Sequence, residues 1–419
     1  MTDPQPPAPA DPLASLDDAV AAVLPDALDL SHRVHATPEI AFEERQAAAW
    51  SAELLARHGF EVTAPAGGLE TAFVARWAGS RAGPIVALAG EYDALPEVGH
   101  GCGHNLMCSS SAAAAAAAAR ILGRDFAGEI RFIGTPAEEA GNGKVHLIEA
   151  GIFDDVDVCL QIHPSDSNSA EMLALAVTEV GVTFHGVLAH ASSDPWLGKN
   201  ALDAIVLLHT MVAQWRQHLK PGERVHGIIT HGGAAPNIVP DLTSGRWYLR
   251  TPIDDDLDAM VERFRAMADA AAAASGCTVE LAMDPVNRCR TMLNNPTLLG
   301  LWRRHLVEAG RQDDPVDPDA GSTDMANVSH EVPTIHPYLQ IAPPGTAWHS
   351  REAAAHAGGP DGDAMLPVAI RVLAATAIEL IRDPALVEGA WDELRTMGGG
   401  RRRAAATPAG SLAGGSRES

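Results

Sequence analysis

One segment, placed directly after an apolar run, constrains the fold of this chain most strongly. The run Ile85–Ala89 is typical of a buried strand, and the segment Gly90–Leu106, GEYDALPEVGHGCGHNL, follows it at once. Catalytic and ligand-binding groups of open α/β sheets gather where strands end. The segment therefore predicts an α/β domain with a functional site at the end of this strand. Its candidate side chains are Glu91, Asp93, His100, Cys102 and His104.

The first 177 residues alternate between strand and helix patterns, which predicts an α/β fold. Helical spacing at 17–35 and 43–58 precedes this alternation. Such an order is typical of a mostly parallel central sheet covered by helices. The alanine run 112–119 predicts a closely packed buried helix, because alanine combines high helix propensity with a small side chain. The predicted strands lie at 72–78, 84–90, 129–134 and 157–162, and the predicted helices between them at 106–122 and 144–150.

The pattern changes near Val177 and again near Val286, which predicts an inserted second domain. Between these points the elements follow the order β-α-β-β-α-β, typical of a ferredoxin-like α+β domain with an antiparallel sheet. We therefore expect a discontinuous domain at 13–177 and 286–396, interrupted by a domain at 178–285. The Pro-rich leader 1–12 and the tail 397–419 are expected to be disordered.

Composition excludes several classes of partner. The net charge of −24 argues against nucleic acid and anionic membranes. We find no uninterrupted stretch of about 18 apolar residues, so no membrane span is expected. The N-terminus lacks the basic and apolar regions of a signal peptide. Five cysteines without regular pairing favour a reducing, cytoplasmic setting over a disulfide framework.

Residues of metal-ligand type recur downstream, at or after the ends of strand-like runs. Glu138 and Glu139 follow EIRFIGT, His163 ends VDVCLQI, and His349 follows PPGTAW. Adjacent acids are commonly a solvated face, and a lone histidine at a strand end is commonly structural. Together with Cys102, however, the set indicates a site for paired divalent ions, either zinc or manganese. Three other histidines compete with His349, and spacing leaves the choice open: His330, His336 and His356.

Several motifs, taken in order, resemble the dinuclear-metal peptidase and amidohydrolase family. That family includes aminoacylase, succinyl-diaminopimelate desuccinylase and bacterial glutamate carboxypeptidases. The branch that matches best holds aminobenzoyl-glutamate hydrolase and the aminoacylase-like dipeptidases. The resemblance spans roughly residues 15–390 and implies a catalytic α/β domain interrupted by a lid domain that also dimerises. Its motifs are GEYDALP, GHGCGHN, PAEEAGNGK, AHASSDPWLGKNALDA, HGGAAPNIVPD and STDMANVSHEVPTIHPY.

The resemblance also implies a role for each candidate residue. Glu138 matches the general base, and Asp93 matches an acid that orients a ligand or the base. Glu91 stands where better-known aminopeptidase members have histidine, and Cys102 stands in place of the bridging aspartate. The same exchange marks the amidohydrolase branch and leaves zinc and manganese both open. The implied metal ligands are Cys102, His104, Glu139, His163 and His349.

Three residues of the inserted domain are implied to contact the substrate. His190 matches an imidazole that supports the oxyanion and often comes from the partner subunit. Asn237 and Arg250 match groups that hold a substrate carboxylate, for which arginine offers a bidentate pair. Asp324 matches a residue at the rim of the site, although its position also suits the N-terminal cap of a helix, with Ser322 or Thr323.

The sequence therefore predicts a cytoplasmic, homodimeric, metal-dependent amidohydrolase acting on dipeptides or N-acyl amino acids, with two divalent ions per subunit. A first alternative is hydrolysis of aroyl-glutamate conjugates such as aminobenzoyl-glutamate. A second is a catalytically silent metal-binding protein on the same fold, which the complete set of ligands and base disfavours. A redox or zinc-storage role is disfavoured because the cluster has a single cysteine and no C-x-x-C.

Overall fold

The computed structural model describes residues 13, 15–316 and 321–400. These residues divide into two compact units. The second unit comprises Leu173–Thr291 with the short segment that ends at Ala326, and the first comprises the rest. The leader 1–12 and the tail from residue 401 lie outside the described residues, so their predicted disorder stays a prediction.

The first unit begins with the alternating elements that the sequence predicts. The apolar end of its central strand, Val86–Glu91, is buried throughout, as expected for a strand covered on both faces. The strand predicted at 157–162 is present but shorter, at Val158–Leu160, and a further short strand that was not predicted follows it at His163–Ser165. The elements are α1 (Leu16–Ala36), α2 (Arg45–Arg57), β1 (Glu61–Thr63), β2 (Phe73–Ala78), β3 (Arg81–Glu91), α3 (His104–Leu122), β4 (Ala127–Thr135), α4 (Glu138–Gly141), α5 (Gly143–Glu149), β5 (Val158–Leu160) and β6 (His163–Ser165).

The second unit is an antiparallel sheet with two helices. Its four main strands follow the spatial order β12-β7-β11-β9, which is the order of a ferredoxin-like domain. A core built around Trp247 and Phe264 fills the space between this sheet and the helices. The elements are β7 (Ala176–His185), β8 (Ala189–His190), α6 (Ala201–Trp215), β9 (Arg224–His231), β10 (Ile238–Val239), β11 (Leu242–Thr251), α7 (Asp254–Ser275), β12 (Thr278–Ala282) and β13 (Arg288–Cys289).

The chain then returns to the first unit and completes its sheet. The sheet has the order β1-β2-β4-β3-β5-β14; the pairs from β4 to β14 are parallel, and the two pairs at the β1 edge are antiparallel. The predicted α/β fold with an inserted α+β domain is confirmed. The last elements are α8 (Pro296–Glu308), α9 (Met325–Glu331), β14 (Thr334–Ile335), β15 (Tyr338–Gln340), α10 (Arg351–Ala357), α11 (Pro360–Arg382) and α12 (Pro384–Thr396).

One helix, α11, is long and apolar enough to cross a membrane by length and composition alone. Charged residues such as Arg371 lie within this helix, so it is not an uninterrupted apolar stretch. In addition, 72% of its apolar window is buried inside the protein, where it packs against α1, α3 and α8. A buried core helix passes the same test as a membrane span, so α11 is explained by the packing of the first unit.

The alanine run of α3 is buried along its whole length, which yields a test of its packing. Ala115 is fully buried, and α3 packs closely against α1, α11 and β3. We expect Ala115→Leu to destabilise the first unit by about 1–3 kcal/mol, because extra methylenes force neighbours apart in a close-packed interior. The exposed Ala56→Leu on α2 is the control and should leave the calorimetric unfolding transition nearly unchanged. Equal transitions for both variants would contradict close packing around α3.

Candidate metal centre

The end of β3 and the start of α3 place a carboxylate, a thiol and an imidazole side by side. Asp93 follows β3, and its Oδ1 atom lies 3.0 Å from His104 Nδ1, whose other contact is the Asp93 carbonyl oxygen at 2.9 Å. Gly103 precedes α3 with φ of 73°, and a Cβ there would meet Pro164 at 2.9 Å. Glycine therefore lets Cys102 and His104 approach the strand ends.

The loop after β4 brings two further carboxylates to the same place. Ala137 has φ of 61°, a strained conformation for a non-glycine residue, and it directly precedes Glu138 and Glu139. Its N–H donates to Glu44 Oε1 at 2.8 Å, while the N–H of Glu139 donates to Asp93 Oδ2 at 2.9 Å. The loop is thus fixed by hydrogen bonds to two carboxylates of the same unit.

His163 and His349 complete the predicted ligand set. His163 begins β6, and its ring lies 6.2 Å from the ring of His104, edge to face. His349 lies in a loop with φ of 58°, and its Nε2 is 3.6 Å from Glu139 Oε2. Its side chain is 61% exposed, which makes it the most accessible of the predicted ligands.

Two groups of ligand atoms meet the distance requirement for a metal ion, and they share one residue. Donor atoms of Cys102, His104 and His163 lie within 4.8 Å of one another, and so do those of Cys102, Glu139 and His349. A residue common to two such groups is what a pair of neighbouring ions requires. The five predicted ligands therefore come together, with Cys102 at the junction.

Buried polar atoms without partners show that the donor set fits a cation. Among the described residues, Glu91 Oε2, His104 Nε2 and Glu139 Oε1 are buried and accept or donate no hydrogen bond. An unpartnered buried polar atom is costly, and carboxylate, imidazole and thiolate together form a ligand set suited to zinc and tolerant of manganese. A third group of close donor atoms joins Glu91 and His104 to Glu138.

The electrostatics of the site also favour positive charge. Burial, followed by the charge of Glu139, raises the pKa of the Cys102 thiol well above its usual value. Burial would lower the pKa of His104, but the carboxylates of Asp93 and Glu91 outweigh it and hold that pKa well above its usual value. The site thus concentrates negative charge that a divalent ion would compensate.

The three histidines that competed with His349 lie outside the candidate ligand groups of the described residues. His336 is buried beside His163, with 5.6 Å between ring centroids. His356 contacts Asp361 at 2.8 Å, and His330 lies at the end of α9. Of these four histidines, His349 alone belongs to a candidate ligand group of the described residues, and its role as a ligand stays a prediction.

The substrate-contacting candidates lie on the second unit. His190 is exposed on β8, and its Nδ1 accepts hydrogen bonds from the N–H groups of Ser192 and Ser193. The Asn237 carbonyl accepts from Ala191 N at 3.0 Å, next to this position. Arg250, at the end of β11, donates to Ser322 Oγ at 3.1 Å.

Asp324 is fully buried just before α9. The cap predicted for this helix is provided by Thr323, whose Oγ1 accepts from Met325 N at 3.1 Å. This contact agrees with the interpretation of the motif as a helix cap. A place for Asp324 at the rim of the site stays a prediction.

Sequence reasoning missed three residues that support the site from behind. Glu44 holds the loop through Ala137 and accepts from Thr71 Oγ1 at 2.9 Å. Lys144 and Gln161 both donate to Glu91 Oε1, at 2.5 and 2.9 Å. Lys144 stands inside the quoted motif PAEEAGNGK, so a signal existed, but an isolated Glu44 or Gln161 carries none.

The contacts of Glu44 yield a prediction. Glu44→Ala removes the acceptor for Ala137 N, and an unsatisfied buried donor costs about 1–3 kcal/mol. We expect weaker binding of the ion next to Glu139 and turnover reduced by about tenfold or more, because the loop that carries both glutamates loses its anchor. Burial and the charge of Asp93 raise the pKa of Glu44 to about 7. The neutral Glu44→Gln should therefore retain most of the wild-type metal affinity and turnover. Titration calorimetry with zinc and a rate assay check this, and equal behaviour of the two variants would contradict it.

Comparison with known proteins places this geometry in a family. Residues 87–379 match the model of peptidase family M20/M25/M40. The chain is 37% identical to a mouse (Mus musculus) Xaa-Arg dipeptidase over 87% of its own length and 88% of that protein's. It is 35% identical to one of the subunits of p-aminobenzoyl-glutamate hydrolase from Escherichia coli, over 68% of this chain and 62% of that one.

A solved structure shares the fold. A dinuclear metal binding peptidase of the M20 family from Bacillus subtilis superposes with a TM-score of 0.65 at 20% identity, covering 86% of this chain and 99% of that one. The predicted resemblance is confirmed by the family match, and hydrolysis of amide or peptide bonds is the activity that the match and the relatives support. This chain belongs to peptidase family M20/M25/M40.

Proposed function

We propose that the protein is a two-metal dipeptidase that cleaves the amide bond of substrates ending in a free carboxylate. The observation that carries this proposal is the pair of ligand groups that share Cys102. Cys102, His104 and His163 would hold one ion, and Cys102, Glu139 and His349 the other. Both zinc and manganese suit this donor set.

The residues of the first unit would bind the ions, move the proton and hold the ligands in place. Bound divalent ions would supply Lewis acidity and a water of lowered pKa. Glu138, whose carboxylate lies within 4.8 Å of donor atoms of His104 and Glu91, would accept the proton of the attacking water and pass it to the departing nitrogen. Asp93 would hold the His104 ring and the Glu139 backbone in place through its two oxygens.

The second unit would recognise the substrate. Arg250 Nε is buried and makes no hydrogen bond among the described residues, so it retains a donor for a carboxylate. Asn237 would be its companion, and His190 would donate to the oxyanion. We propose that two copies of the chain associate through the second unit, whose edge strand β9 exposes Ile228 and Ile229.

Dipeptides with a basic C-terminal residue are the substrates we favour, because the Xaa-Arg dipeptidase is similar over nearly nine tenths of both chains. Aroyl-glutamates are the second candidate, supported by 35% identity to the p-aminobenzoyl-glutamate hydrolase chain. A cytoplasmic location fits the five free cysteines, four of which are buried.

The substrate proposal is tested with a mixed panel. Dipeptides ending in arginine or lysine, N-acetyl amino acids and p-aminobenzoyl-glutamate are incubated with the protein plus zinc or manganese, and released amino acids are identified by mass spectrometry. We expect release of the basic amino acid and its loss after chelation. Release of glutamate alone would favour the second candidate. Chelator-insensitive release would contradict the metal-dependent mechanism.

The role of Glu138 yields a second prediction. We expect Glu138→Ala to lower turnover by about 10²–10⁴-fold, because general-base catalysis contributes that much, while metal content and the unfolding transition stay near those of the wild type. Glu149→Gln, an exposed glutamate on α5, is the matched control and should retain activity. Near-normal turnover of Glu138→Ala would overturn the assignment.

The shared ligand yields a third prediction. Cys102→Ala should weaken the binding of both ions, because Cys102 belongs to both ligand groups. His163→Ala and Glu139→Gln should each weaken the binding of one ion. Metal analysis after equilibrium dialysis at stepped zinc concentrations distinguishes these patterns. A Cys102→Ala variant that loses a single ion would contradict the shared position.

A further inference from the structure

A fully buried ion pair lies behind the candidate metal centre and has no part in the proposed reaction. Lys144 Nζ donates to Glu91 Oε1 at 2.5 Å, and the two side chains are at most 1% exposed. Burying two charges costs about as much as their attraction returns, so such a pair contributes little to stability. Stability therefore does not explain why this ion pair lies next to His104, a predicted metal ligand.

The two oxygens of Glu91 have different environments. Oε1 is saturated, because it accepts from both Lys144 Nζ and Gln161 Nε2. Oε2 has no hydrogen-bond partner among the described residues and lies 3.2 Å from His104 Nε2. The carboxylate is thus held by one oxygen and presents the other toward the imidazole.

His104 has the complementary arrangement. Its Nδ1 is committed to the side chain and carbonyl of Asp93, and its Nε2 has no hydrogen-bond partner among the described residues. A protonated His104 would pair with Glu91 through Nε2, but in the neutral form that binds metal, with the proton on Nδ1, Nε2 presents a lone pair and two acceptor atoms face each other at 3.2 Å. A cation bound by both atoms resolves this conflict and keeps the imidazole in the neutral form that metals require.

Glu91 therefore has the position and the uncommitted lone pairs of a ligand. We propose that Glu91 Oε2 is an additional ligand of the ion held by Cys102, His104 and His163, and that Lys144 and Gln161 are positioning residues that fix its carboxylate. The inference rests on the proposed function, because it assumes the two-metal centre. The positive charge of Lys144 would let Glu91 supply an oxygen without adding net negative charge to the site.

Lys144, which holds Glu91, is close in the chain to the residues of the proposed reaction. Glu138, Glu139 and Lys144 all lie between β4 and the first turn of α5. Gly143 brings α5 against this loop, since a Cβ there would collide with the carbonyl oxygen of Pro136. The segment that supplies the base, Glu138, and a ligand, Glu139, therefore also supplies Lys144, whose ammonium group holds the Glu91 carboxylate.

The test measures metal binding rather than activity. Zinc affinity of the full chain is measured by dialysis against a chelator series for the wild type, Glu91→Gln/Lys144→Met and Glu91→Asp. The double variant removes both side-chain charges, so no buried charge is left without its partner. We expect each variant to bind one of the two zinc ions about 10–100-fold more weakly, with the other ion unaffected. The control is Asp155→Asn, which removes the exposed partner of the buried Arg131 side chain and should leave both affinities unchanged.

Crystallography gives an independent readout that does not depend on the variants folding. In zinc-loaded wild-type crystals, anomalous scattering should place Glu91 Oε2 about 2.0–2.2 Å from one zinc ion. Variants with unchanged affinities, or a Glu91 oxygen more than about 3 Å from both ions, would overturn the inference and leave the proposed function intact. A wild type that binds no pair of ions would overturn the proposed function, and this inference with it.

Discussion

The contacts of a single carboxylate, that of Asp93, underlie the geometry of the whole centre. One oxygen lies 3.0 Å from the His104 ring, and the other accepts the backbone N–H of Glu139. These two bonds connect the end of β3 to the start of α3 and to the loop after β4. The predicted ligands come from separate parts of the chain, and Asp93 fixes two of them relative to the sheet. Because charge-assisted bonds are strong in a buried setting, the centre is held in place by its protein frame.

Much of the fold was predictable because periodicity reports burial directly. The strand that ends at Glu91, the alanine-rich helix and the β-α-β-β-α-β insertion all follow from short-range patterns. The strand predicted at 157–162 is present at Val158–Leu160, but the strand His163–Ser165 after it was not predicted, because three residues are too few to show an alternating pattern. The bounds of the short helices α9 and α10 were not predicted, since neither helix is long enough to show a clear period.

The site was predictable as a set of residue types and not as a set of contacts. Sequence alone could not choose His349 over His336, since both follow apolar segments late in the chain. It gave no sign that Glu44 fixes the loop at Ala137, a contact that spans 93 positions, nor that Lys144 pairs with Glu91 across 53. Such supporting contacts leave no local pattern, because an isolated glutamate or lysine is most often solvated.

The order of the ligands along the chain has a further consequence. Cys102 and His163 precede the inserted second unit, whereas His349 follows it. An ion held by Cys102 and His349 would join the two chain segments of the first unit much as a covalent cross-link does, closing a loop of more than two hundred residues. Loop closure of that length restricts the unfolded chain appreciably. The centre would then hold together a domain that the insertion divides.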